Sequence, residues 1–148
     1  MVYFLIIGII IILDQITKKH IVSKMEVEEI RETKCSKILL WHRKNYGIAY
    51  SSFSKFNEQI LTINKIFVFI WFFVLLAIYP LKGLSLLKTS IAMTLGGGIG
   101  NLIDRIRNKC VTDFIYIKGK HTPIFNIADI FIVIGAVMGI VAALKDKK

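Results

Sequence analysis

Residues 96–129, GGGIGNLIDRIRNKCVTDFIYIKGKHTPIFNIAD, hold the end of one apolar segment, a short extended run and the start of another apolar segment. Three acids fall in this stretch, Asp104, Asp113 and Asp129, and a fourth, Asp14, lies in the first apolar segment. A carboxylate at membrane depth costs about 2.5 to 3.5 kcal/mol even on lenient insertion scales. Four of them at the edges of apolar segments point to a reaction or an ion pathway.

Those segments dominate the chain. Its 148 residues are 55% hydrophobic with a mean hydropathy of +0.62, too apolar for an ordinary soluble domain. A span needs about 20 mostly apolar residues, and four segments qualify: Val2 to about Val22, Ile60 to Leu81, Leu84 to Leu102 and Ile124 to Leu144. The expected fold is an all-α integral membrane protein, one domain over residues 1–148, with four transmembrane helices. The first segment has no basic residue before its apolar run and no small-residue cleavage site after it, so it is read as a retained helix, not a signal peptide. Cys35 follows Arg31, Glu32, Thr33 and Lys34, which is unlike a lipid-attachment context.

Four spans put the first and third loops on one side of the membrane. That side collects Asp14 and Lys18, the loop from Met25 to Gln59, Asn101, Asp104 and Arg105, Asp113, and Asn126 with Asp129. The run from Ile38 to Phe53 reads as a short sheet or hairpin broken at Asn45, Tyr46 and Gly47, a β-rich platform between helices 1 and 2. Val111 to Ile117 is β-branched and aromatic, which places Asp113 in an extended or re-entrant piece. Pro123 is read as the start of the fourth helix, with Asp129 about two turns in.

The net charge of +10 raises the question of nucleic acid, but the basic residues are scattered and no basic domain carries aromatic platforms; anionic lipid headgroups suit them better. Counting Lys65 at the head of the second segment, fifteen of the twenty Lys and Arg residues fall on the Asp113 side. By the positive-inside rule that side would be cytoplasmic. Two cysteines, Cys35 and Cys110, make no disulfide framework, and His20, His42 and His121 lack metal-ligand spacing.

Asn101, Asp104 and Arg105 share one helical face by their i, i+3, i+4 spacing, and Asn126 with Asp129 repeats it. Gly96 and Gly100 form a small-xxx-small pair that admits a neighbouring helix; with no preceding strand and no G-x-G-x-x-G order, they are not a dinucleotide loop. Asp104 and Arg105 either pair and fix a helix end or act directly. Asp14 and Lys18, at i, i+4, read as an ion pair at the membrane edge. Asp113 and Asp129 have no basic partner at helical spacing within their own segments. If folding joins them, they share one proton and can activate water against an amide carbonyl, as aspartic proteolysis requires. The alternatives are a proton or ion relay in a small carrier, or a non-catalytic assembly subunit that uses the glycine face.

The motifs LDQITK, NYGIAY, GGGIGNLIDR, VTDF and FNIAD, in this order over nearly the whole chain, resemble the bacterial lipoprotein signal peptidases, also called signal peptidase II. The resemblance implies a catalytic dyad of Asp113 and Asp129. Asn45, Asn101, Arg105 and Asn126 would line the site, while Asp14, Lys18 and Asp104 would support the structure or substrate access. Gly47, Gly96, Gly97 and Gly100 would fix backbone shape. It further implies cutting of prolipoproteins just before a diacylglyceryl-modified cysteine, with no metal or organic cofactor. It places the protein as a monomer in the bacterial cytoplasmic (inner) membrane, with both termini in the cytoplasm and the site on the extracytoplasmic side, against the charge count. Tyr50 stands where the family's NxGxAF pattern has Phe.

Overall fold

The computed structural model describes residues 1–47, 53–119 and 122–145, with the backbone alone for residues 53–57. Among the described residues, four long helices, α1 (Val2–Lys24), α2 (Phe53–Ile78), α3 (Ser85–Asn108) and α4 (Ile127–Lys145), carry two strands between α1 and α2 and two between α3 and α4. These are β1 (Ile30–Glu32), β2 (Ile38–Asn45), β3 (Val111–Ile117) and β4 (Ile124–Phe125). Tyr50 and His121, with Ile48 and Ala49 of the NYGIAY motif, lie outside the described residues.

Helix α3 is the centre, packing against each of the other three helices. Its small residues make this possible. A Cβ on Gly97 would collide with the Ala128 carbonyl of α4, one on Gly96 would lie 3.1 Å from Ile10 of α1, and one on Gly98 would lie 3.0 Å from Phe67 of α2. The packing role expected of Gly96 and Gly100 thus extends along the run. Ile7, Leu75, Ile91, Ala92 and Leu95 form the apolar core where α1, α2 and α3 meet. The outer faces expose large side chains such as Ile9, Ile16, Phe69, Phe73, Val133 and Ile140, the reverse of a soluble bundle.

Two of the helices, at Glu58–Ile78 and Ile127–Lys145, are long and apolar enough to cross a membrane. Helix α1 carries Asp14, Lys18 and Lys19 among its first eighteen residues, and α3 is rich in glycine, serine and threonine; neither meets the same measure.

The mostly helical fold and the β-rich platform between the first two helices are present, and the platform is completed by strands from the third loop. The strands form one antiparallel sheet in the order β1-β2-β3-β4, drawn from the first and third loops together. Of the run from Ile38 to Phe53, Ile38–Asn45 is one strand set between β1 and the distant β3, and residues 48–52 lie outside the described residues. Ile38 pairs with Ile117 and Leu40 with Ile115; after an irregularity Arg43 pairs with Asp113 and Asn45 with Val111. His42, at that irregularity, is buried, and its Nδ1 donates to the Met25 carbonyl at 3.0 Å, tying the sheet to the end of α1.

The start of α4 is corrected. Pro123 does not open the helix; it precedes β4, which pairs with Ile115 and Tyr116. The helix begins after Asn126, so Asp129 stands in its first turn, not two turns in. The physical reason is a reciprocal cap. Asp129 N–H donates to Asn126 Oδ1 at 3.0 Å, and Asn126 N–H donates to Asp129 Oδ2 at 3.2 Å, the capping-box geometry with Asn and Asp in place of Ser and Glu.

Candidate active site

Asp113 and Asp129 reach the same place by different routes. Asp113 sits in the middle of β3 and is 2% exposed. Asn45 Nδ2 donates to its Oδ2 at 2.8 Å, and Asn126 Nδ2 donates to its Oδ1 at 2.7 Å. Asp129 accepts Asn101 Nδ2 on Oδ1 at 2.8 Å and the Asn126 N–H on Oδ2. Asn126 therefore holds one acid with its side chain and the other with its backbone. Each of the four carboxylate oxygens has a donor, and every one of those donors is neutral.

The amides cannot turn the other way. Each side-chain oxygen is claimed by a group that only donates: Asn45 Oδ1 by the Gly47 N–H at 2.8 Å, Asn126 Oδ1 by the Asp129 N–H, and Asn101 Oδ1 by the Lys18 ammonium at 2.9 Å. The NH2 groups are thereby turned onto the carboxylates. Gly47 makes its contact at φ +97°, a left-handed conformation in which a side chain is strained, and a Cβ there would also collide with Ile60. Burial pushes the Asp113 carboxyl up to about 6; the Asn45 and Asn126 bonds and the Lys18 charge oppose the rise, and the Asp129 charge adds to it.

Beneath the pair lies a second acidic cluster. Lys18 Nζ is 2.8 Å from Asp14 Oδ2 and 3.1 Å from Asp104 Oδ2, and all three side chains are almost fully buried. The Asp14–Lys18 pair is present as the spacing predicts, and it is buried within the protein. Asp14 Oδ1 accepts the Ala128 N–H at 3.0 Å and Asp104 Oδ2 accepts the Thr112 N–H at 3.2 Å. One ammonium thus brackets α1 and α3 and, through its two partners, positions the residue before each candidate acid.

Asp104 and Arg105 do not act as an adjacent pair. Asp104 turns to Lys18, whereas Arg105 Nη1 donates to Asn64 Oδ1 of α2 at 3.1 Å. Arg105 lies within electrostatic reach of Asp129, Asp113 and Asp104. With Asn45, which donates to Asp113, and with Ile60 and Leu61, it lines a cavity of about 240 Å³. Of the residues singled out from sequence, Asp113, Asp129, Asn45, Asn101 and Asn126 come together in one network. Asp14, Lys18 and Asp104 form its base, Arg105 stands at its side, and Gly47 orients Asn45. Cys35 is exposed and Cys110 buried, both as free thiols.

Sequence reasoning missed Gln15, which donates to both Asp14 and Asp104, and it missed Asn64. The signal for Asn64 was available, since it is a lone polar residue at helical spacing in an apolar stripe.

Four helices around a polar centre covered by a small sheet are the architecture of a bacterial membrane enzyme. Two solved bacterial membrane enzymes, determined by the in meso method, share it. One superposes with a TM-score of 0.83 over 98% of this chain and 94% of its own, the other with 0.81 over 99% and 90%, each at 30% identity. The chain belongs to the signal peptidase II family, whose pattern it matches over residues 6–145. It is 42% identical to a lipoprotein signal peptidase of Bartonella bacilliformis, covering 91% of this chain and 84% of the relative. It is 31% identical to one from Streptococcus agalactiae, covering 94% and 89%. It is thus a membrane protein of a peptidase family.

Proposed function

We propose that this protein is an intramembrane aspartic endopeptidase that removes the signal peptide from diacylglyceryl-modified prolipoproteins, cutting before the lipidated cysteine. The observation that carries the reading is the buried Asp113, joined to Asp129 through Asn126 and surrounded by neutral donors only. Two close carboxylates in such a setting hold one proton between them. The ionised acid takes a proton from water as the water attacks the scissile carbonyl. The protonated acid polarises that carbonyl and then protonates the departing amine. The pair titrates as a unit, so its two apparent pKa values belong to neither residue alone.

In this reading the chain is a single membrane-embedded domain acting as a monomer without metal or organic cofactor. All four helices span the cytoplasmic membrane, and the sheet stands on the extracytoplasmic side. Acyl chains then stay in hydrocarbon while the scissile bond meets water beneath the sheet. Exposed basic residues on that side, such as Lys19, Lys24, Lys34, Lys37 and Lys118, then face lipid headgroups, which accounts for the departure from the positive-inside rule.

The test is cleavage of a diacylglyceryl-modified prolipoprotein by purified wild type, Asp113→Asn and Asp129→Asn in detergent, read as loss of the signal-peptide mass. Wild type should cut and both variants should fold without cutting. Cleavage by either variant at the wild-type rate overturns the mechanism, and a wild type that never cuts a verified substrate overturns the function.

A further inference from the structure

Helix α2 meets α3 along a stripe at helical spacing: Ile60 and Leu61 beside the cavity, then Asn64, then Phe67 and Val68, with Trp71, Leu75 and Ile78 below. Every member but Asn64 is apolar. A polar side chain in such a contact is retained against the packing preference of its neighbours, and its partner here is the guanidinium of Arg105.

The surroundings of Arg105 give that contact a consequence. Asp129 of α4, Asp113 of β3 and Asp104 of α3 all attract it, while Glu58 and Lys109 line the same cavity. Even so, Arg105 makes no ion pair with Asp113 or Asp129 within 4.0 Å among the described residues. A guanidinium drawn into contact would favour two ionised carboxylates and expel the proton that they share. Held back, it leaves that proton in place, and its remaining donors face the cavity.

We infer that Asn64 is a positioning residue for the reaction: it tethers the Arg105 guanidinium to α2, within reach of Asp113 and Asp129 but out of contact with them. This rests on the aspartic reading above. Lys18 also acts on Asp113, but its ammonium is fixed between Asp14, Asp104 and Asn101, and Arg43 stands opposite Asp113 in the neighbouring strand; neither is held by α2.

The experiment is the pH–rate profile of wild type, Asn64→Leu, Asn64→Ala and Asn64→Asp on a diacylglyceryl-modified prolipoprotein, with thermal unfolding of each in the same detergent. Leucine completes the apolar stripe, so the fold should be kept or strengthened; alanine repeats the test with no added bulk. In both, the released Arg105 pairs with the acids and the alkaline limb of the profile falls by about one pH unit, about ten-fold in rate above that limb. Asn64→Asp retains an acceptor for Arg105 and should keep the limb at or above its wild-type position. Limbs unmoved in both Asn64→Leu and Asn64→Ala, whatever the unfolding temperature, overturn the inference, since a residue that only packs would alter stability alone. A wild type that cuts without a bell-shaped profile overturns the aspartic reading and this inference with it. A bell-shaped wild type with unmoved variants overturns only the role of Asn64.

Discussion

The described residues hold two pairs of aspartates, one pair wholly buried and the other with Asp113 buried and Asp129 half-buried, and they are treated in opposite ways. Asp14 and Asp104 face an ammonium, with Lys18 Nζ at 2.8 and 3.1 Å. The hydrogen bonds given to Asp113 and Asp129 come from side-chain amides and a backbone N–H. Two carboxylates joined by one buried ammonium form a structural bracket between α1 and α3. A carboxylate given neutral donors in a desolvated place is free to hold or release a proton. The same residue type thus serves as a girder in one layer and as the proposed reagent in the next, and Asn101, which touches Lys18 and Asp129 at once, is the joint between them.

The largest effect should come from breaking the bracket. Lys18→Met leaves two buried carboxylates without their cation and should lower unfolding stability by about 3 to 5 kcal/mol, measured by denaturation in detergent. A loss under about 1 kcal/mol would mean that the lower pair is no more dependent on charge than the upper one.

The upper pair should respond with the opposite sign. The Asp113 carboxyl stands at about 6 against an ordinary 3.8, so the native state binds more protons than the unfolded chain in between, and stability falls as pH rises through that window. Asp113→Asn removes the penalty. It should stabilise the fold at pH 7 by up to about 3 kcal/mol, with the difference fading as pH falls below about 6 toward 3.8. A variant less stable than wild type at pH 7 would show that this acid is braced like the lower pair.

The smallest effect sharpens the comparison. Asn45→Ala removes one neutral donor from Asp113, and that bond favours the ionised form. The upper limb of the pH–rate profile should then move upward by about one pH unit or less. An unmoved limb would leave Asn45 as a wall of the cavity and nothing more.

How much of this was legible beforehand follows the range of each interaction. The four helices are visible as apolar runs, and Asp14 with Lys18 as an i, i+4 pair, because both are local. The sheet was half visible. Val111 to Ile117 reads as extended by composition, but its pairing with Ile38 to Asn45 joins segments some seventy residues apart that no local pattern connects. Pro123 suggests an earlier helix start than the one present, because the Asn126–Asp129 cap, itself a four-residue pattern, sets the first turn. The direction of Arg105 was hidden altogether, since its partner Asn64 lies on another helix. The acids themselves were found because charge in an apolar chain is conspicuous wherever it falls.

The cap at the head of α4 ties folding to chemistry through a single oxygen. Asp129 Oδ2 accepts the Asn126 N–H that helps to start the helix, and that oxygen belongs to the carboxylate proposed to trade protons during turnover. Each time such a proton arrives, the first turn of a membrane helix loses some of the negative charge that steadies its positive end.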